Sequence, residues 1–118
     1  MKKNTNTKEV KSAVRAYIFE NYSEPLNERP APADFTACAR YIADDMRDCL
    51  GAPVTAKNLT AGASPAGFEL PMYYADAQND LAAILGQTPE EAAAYAPADS
   101  YKLLAHLCAR EINAVLRK

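Results

Sequence analysis

Apolar residues recur along this chain at spacings of three and four, in five segments separated by prolines, glycines and polar runs. In the first segment Val10, Ala13, Val14, Tyr17 and Ile18 share one face and Asn6 or Thr7 supplies a cap, which predicts a helix to about Tyr22. Residues 1–5 before it are polar and basic and are expected to fray. At about 100° per residue Phe19 falls opposite Val10. Either the Pro25-Leu26 segment folds back over it, or it is an exposed contact residue.

Residues 23–33 hold three prolines and read as a connector. The clearest amphipathic pattern follows, from about Ala33 to Leu50, with Phe35, Cys38, Ala39, Ile42, Met46, Cys49 and Leu50 on one face and Gly51 as the stop. Residues 51–70 are irregular and rich in glycine and proline, and only Val54 to Leu59 suits a short helix or strand. A loop of that length is either functional or holds a minor β element built from Val54 and Phe68 to Leu70.

A third helix is predicted with Pro71 near its first turn and Gly86 past its end. Leu70, Tyr73, Tyr74, Ala77, Leu81, Ile84 and Leu85 share its apolar face. Thr88-Pro89-Glu90-Glu91 carries a capping-box pattern and predicts a short helix to about Tyr95, ended by Pro97. The last helix, Ser100 to Lys118 with Asp99 or Ser100 as cap, is apolar over about half its circumference through Tyr101, Leu104, Ala105, Leu107, Cys108, Ile112, Val115 and Leu116. So wide an arc needs neighbours on several sides. The expected fold is therefore all-α, a single domain over residues 1–118 in which four to five helices pack around the C-terminal one.

Composition narrows the chemistry. The chain has 118 residues, a net charge of -2, no tryptophan and seven tyrosines, and 24 alanines account for much of its 49% hydrophobic content. Its core must rest on few large side chains, and its aromatic surface is mostly phenolic. Both ends are basic and the middle is acidic, a pattern that serves internal pairing or leaves two surfaces of opposite sign. Cys38, Cys49 and Cys108 lack metal-ligand spacing and read as buried thiols. Lys2 and Lys3 lead into polar residues, no segment is apolar enough to span a bilayer, and the expected location is the cytoplasm, with no membrane partner.

His106 is the only histidine, and its helical neighbours Lys102 and Arg110 supply no carboxylate to orient it. Asp76 or Glu111 would have to reach it in three dimensions for a dyad to form. Asp44, Asp45 and Asp48 lie beside Arg40 and Arg47, so ion pairs explain them better than a cation site does. No phosphate-binding glycine motif is present. No catalytic, metal or cofactor site is expected, and the protein is read as a non-enzyme.

Two binding surfaces remain. Phe19, Met72, Tyr73 and Asp76, with the adjacent loop, form the leading candidate for a protein partner, because interface cores favour aromatic residues and methionine. The alternative is nucleic acid bound by Lys102, His106, Arg110 and Arg117, on one polar face of the last helix together with Asn113. A small enzyme using His106 ranks third, and a homo-oligomer stays open.

The order of Ala39-Arg40-Tyr41, then LPMYYADAQNDLAAILG from Leu70 to Gly86, then Leu104 to Arg110, resembles small uncharacterised helical proteins of phages and integrative elements in gut Firmicutes. The resemblance covers about two thirds of the chain, rests on no diagnostic motif and carries over no functional residue. It implies a mobile-element accessory role, of which inhibition of a host defence factor such as a CRISPR nuclease is one specific case.

Overall fold

Thr7 ends the polar N-terminal run with a hydroxyl that accepts the Val10 N–H at 3.2 Å, and helix α1 follows over Lys8–Glu20. Val10, Val14 and Ile18 are buried, as their spacing requires. The computed structural model describes residues 5–22, 30–60, 68, 70, 71 and 73–117, with the backbone alone for Cys49 and Leu50. The Pro25-Leu26 segment expected to cover Phe19 lies outside the described residues.

Asp34 accepts the Ala37 N–H at 2.9 Å and starts α2, Phe35–Asp45. The chain then widens into a π turn, Met46–Leu50, and stops at Gly51, whose φ of 63° is easy only for glycine. One uninterrupted helix to Leu50 was expected from the pattern. Apolar residues at 42 and 46 suit either hydrogen-bond register, so the pattern carries no mark of the wider turn.

Thr55 accepts the Asn58 N–H at 3.1 Å and caps a four-residue helix, α3, Ala56–Leu59. Of the two readings of Val54 to Leu59, the helix is the one realised. Val54, Phe68 and Leu70 are buried, but no strand occurs among the described residues. Side-chain burial, not strand pairing, holds these three against the helices.

Helix α4 spans Tyr74–Leu85, so Pro71 precedes it by three residues and does not sit in its first turn. Gly86, at φ 66°, closes α4 with the Gln87 N–H donating to the Ala82 carbonyl at 2.9 Å. Thr88 and Glu91 form the expected capping box of α5, Pro89–Ala93, and the Thr88 N–H holds the Glu91 carboxylate below its ordinary pKa. The Gln78 amide then donates to the carbonyls of Ala92 and Tyr95 at 2.9 and 3.0 Å, folding α5 back along α4.

Helix α6 runs from Pro97 to Leu116. Pro97, expected to end the preceding helix, instead occupies the first position of this one, where no N–H is needed. Asp99 and Ser100 thus lie inside the first turn and cap nothing. Helices α1, α2, α3 and α4 all pack on α6, whose Leu104, Leu107, Cys108 and Ile112 are fully buried. The all-α bundle around the last helix is the architecture, with six α-helices among the described residues.

Two side-chain ties fix α1 in place. The Tyr17 hydroxyl donates to Asp80 Oδ2 on α4 at 2.8 Å, and the Tyr17 ring meets Phe68 edge-on at 6.4 Å. Burial first, and then the bond to Asp80, raises the Tyr17 pKa. Arg15 donates to Glu111 Oε1 on α6 at 2.9 Å while its guanidinium lies 5.2 Å over the Phe35 ring on α2. Cys38 and Cys108 are buried free thiols; burial pushes Cys38 up to about 11, and burial with the Glu111 charge raises Cys108. The Cys49 side chain lies outside the described residues. No helix among them is long and apolar enough to cross a membrane.

Candidate partner-binding surface

The polar face of α6, continuous on a helical wheel, is divided by the fold. Arg110 is turned inward: its Nε donates to Glu111 Oε2 at 3.2 Å, Nη1 to Asn6 Oδ1 at 3.0 Å and Nη2 to the Thr5 carbonyl at 2.7 Å. Thr5 belongs to the run expected to fray, and this last bond anchors it. Asn113 donates to the Val54 carbonyl at 2.8 Å and ties down the segment before α3. Lys102, His106 and Arg117 stay exposed. The five-residue stripe is therefore two separate things, a set of internal ties and three solvent-facing side chains, Lys102, His106 and Arg117.

Glu111 explains the inward turn. Its side chain is 2% exposed, and a carboxylate so placed needs charged hydrogen-bond donors, which Arg15 and Arg110 supply on its two oxygens. Glu111 therefore does not reach His106, which lies about 140° away around α6. Among the described residues neither His106 nor Asp76, both exposed, has a hydrogen bond or ion pair. No dyad involving His106 is present among the described residues.

The arginine-aspartate reading of the α2 region holds for Arg47, which pairs with Asp44 at 3.3 Å and with Asp48 at 3.1 Å. Asp45 differs: it is buried on the core side, one position round the helix from Asp44. Among the described residues no three His, Cys, Asp or Glu side chains converge as metal ligands.

The exposed aromatic residues behave differently from Lys102, His106 and Arg117. Phe19, Tyr73 and Tyr74 are the large hydrophobic residues left in solvent among those described, at 38%, 68% and 52% exposure. Tyr74 was expected to pack on the apolar face. It opens α4, so no preceding turn shields it, and its ring rests instead on Tyr101 of α6 at 5.0 Å and a tilt of 46°. Half-burial there raises the Tyr101 pKa, with Tyr74 contributing further.

The Tyr74-Tyr101 contact thus brings the N-terminal ends of α4 and α6 together, with the exposed Tyr73 just before Tyr74 in the chain and the exposed Asp76 in the first turn of α4. Phe19 does not join them. Tyr17 faces α4 through Asp80, and Phe19, about 200° further round α1, faces away. Met72 lies outside the described residues. The Tyr74-Tyr101 pair was not legible from periodicity, because it depends on α5 returning the chain beside α4.

Comparison of the chain with family models, curated proteins and solved structures found no match.

Proposed function

We propose that this protein is a non-enzymatic binding module that docks a protein partner through the phenolic surface of Tyr73, Tyr74 and Tyr101, with Asp76 at its edge. One observation carries the reading. Two adjacent tyrosines stand in solvent at 68% and 52% exposure, although the same helix buries Ala77, Leu81 and Leu85. Large rigid rings with a polar tip lose little side-chain entropy on binding and dominate interface energetics. The finer proposal follows the sequence resemblance: a cytoplasmic accessory protein of a phage or mobile element that occupies and inhibits a host defence factor.

Nucleic-acid binding through Lys102, His106, Arg110 and Arg117 is the second reading, and the exposure of Lys102, His106 and Arg117 favours it. The engagement of Arg110 by Glu111, Asn6 and Thr5 counts against it. Catalysis by His106 comes third.

The deciding experiment is affinity capture from host lysate with wild type and Tyr73→Asp, with and without nuclease, alongside thermal melts. Tyr73→Asp is expected to lose the partner while melting as wild type. Capture that survives this substitution, or that vanishes on nuclease treatment, would overturn the docking reading.

A further inference from the structure

The charge around the tyrosine surface bears on what covers it. From Asn58 to Tyr101 the chain holds six carboxylates, Glu69, Asp76, Asp80, Glu90, Glu91 and Asp99, and no lysine, arginine or histidine. That stretch includes all of α4 and α5 and the first turn of α6. Asp80 is engaged by Tyr17 and Glu91 by its capping box, whereas Asp76, Glu90 and Asp99 are exposed and hold no partner among the described residues. Lys102, which follows Tyr101, is the first cation after that stretch, and it lies about 100° round α6 from that ring. The basic residues of α1, Lys8, Lys11 and Arg15, belong to another helix, whose Arg15 is bound to Glu111.

We infer that the occupant of this surface is a basic protein segment that lays an arginine guanidinium on the rings of Tyr73 and Tyr74, with Asp76 as its counter-charge. The inference rests on the docking reading above and names the chemistry of the partner. Phenol faces carry negative quadrupole potential and attract cations, and a planar, weakly hydrated guanidinium stacks on them better than an ammonium does. An acidic segment or a phosphate backbone would meet like charge from Asp76 and from the rest of α4 and α5. The molecule already contains the same three-part arrangement once, at the partly exposed seam of α1, α2 and α6: Arg15 lies 5.2 Å over the Phe35 ring with Glu111 Oε1 at 2.9 Å.

The test uses the full chain and three labelled peptides of equal length, in which glycine alternates with arginine, lysine or glutamate. Binding is read by fluorescence anisotropy at low and high salt. The arginine peptide is expected to bind, the lysine peptide about tenfold more weakly, and the glutamate peptide not at all. Tyr73→Ala should weaken arginine-peptide binding by about tenfold with an unchanged melting temperature. Tyr73→Phe should restore binding, because the ring face and not the hydroxyl is used. Asp76→Asn should weaken binding and flatten its salt dependence.

Equal binding of the arginine and lysine peptides, or peptide binding indifferent to Tyr73→Ala, would overturn the inference. So would binding of a single-stranded oligonucleotide in place of the peptides, or self-association in sedimentation that disappears with Tyr73→Ala. If no peptide binds but Tyr73→Asp still loses a captured partner, the docking reading stands and only the arginine-bearing occupant falls.

Discussion

The two halves of α6 share one apolar stripe yet treat their polar residues in opposite ways. In the C-terminal half Arg110, Glu111 and Asn113 are tied to Thr5, Asn6, Arg15 and Val54. In the N-terminal half Lys102 and His106 are exposed without a hydrogen bond or ion pair among the described residues, and Tyr101 helps to hold an exposed ring. The difference comes from the neighbours. Around Glu111 the helix is covered by α1 and the chain before it, so a buried carboxylate has to find donors. Near Tyr101 the covering is the start of α4, which leaves the polar side of the helix open. A polar face on a wheel is therefore no evidence of a binding surface until its coverage is known.

The comparison can be broken at four points. Leu104 is fully buried in the shared stripe, and Leu104→Ala should destabilise by about 2 to 5 kcal/mol through lost burial and a residual cavity. A chemical melt indistinguishable from wild type would end the claim that α6 is the centre of the fold. Glu111→Gln keeps the volume but removes the charge shared by two arginines. It should cost about 1 to 3 kcal/mol, less at high salt, since Arg15 and Arg110 are 39% and 25% exposed.

Tyr17 tests the α1 to α4 tie through pH. Its pKa is raised in the folded state, so its stabilising contribution is complete below about 10 and is lost as pH rises beyond that value. The raised thiols of Cys38 and Cys108 add in the same direction from about pH 9. Tyr17→Phe should cost about 1 kcal/mol at neutral pH and show a shallower alkaline loss of stability than wild type; parallel alkaline curves would contradict the assignment. Lys102→Ala with His106→Ala should change stability by less than about 0.5 kcal/mol. A larger loss in urea melts would mean that the N-terminal half of α6 has internal ties like those of the C-terminal half.

How far the sequence reached is clearest at particular residues. The spacing of Val10, Val14 and Ile18, and the arc from Leu104 to Val115, located the core faces, because burial on a helix follows a period set by the backbone. Thr7 and Thr88 marked helix starts through local hydrogen bonds within three residues. Pro97 was misplaced, because a proline both ends one helix and opens the next, and only the path of α5 decides which. The short helix α3 was left open between helix and strand, since four residues carry too little periodicity to choose.

At the candidate surface, Tyr73 was found through its residue type and its place at the edge of an apolar arc, while Tyr74 was assigned to the core and proved half exposed. Phe19 and Tyr73 were grouped on chemistry alone, and the fold sets them on different faces. By itself the sequence determined that the chain is helical, where the apolar stripes lie and that the last helix is central, because these depend on contacts among residues three and four apart. Only the tertiary structure decided that Arg110 is an internal tie while Lys102 stays exposed, and that Tyr74 meets Tyr101. Those outcomes depend on which distant segment covers each face, and the periodicity of one helix holds no record of its neighbours.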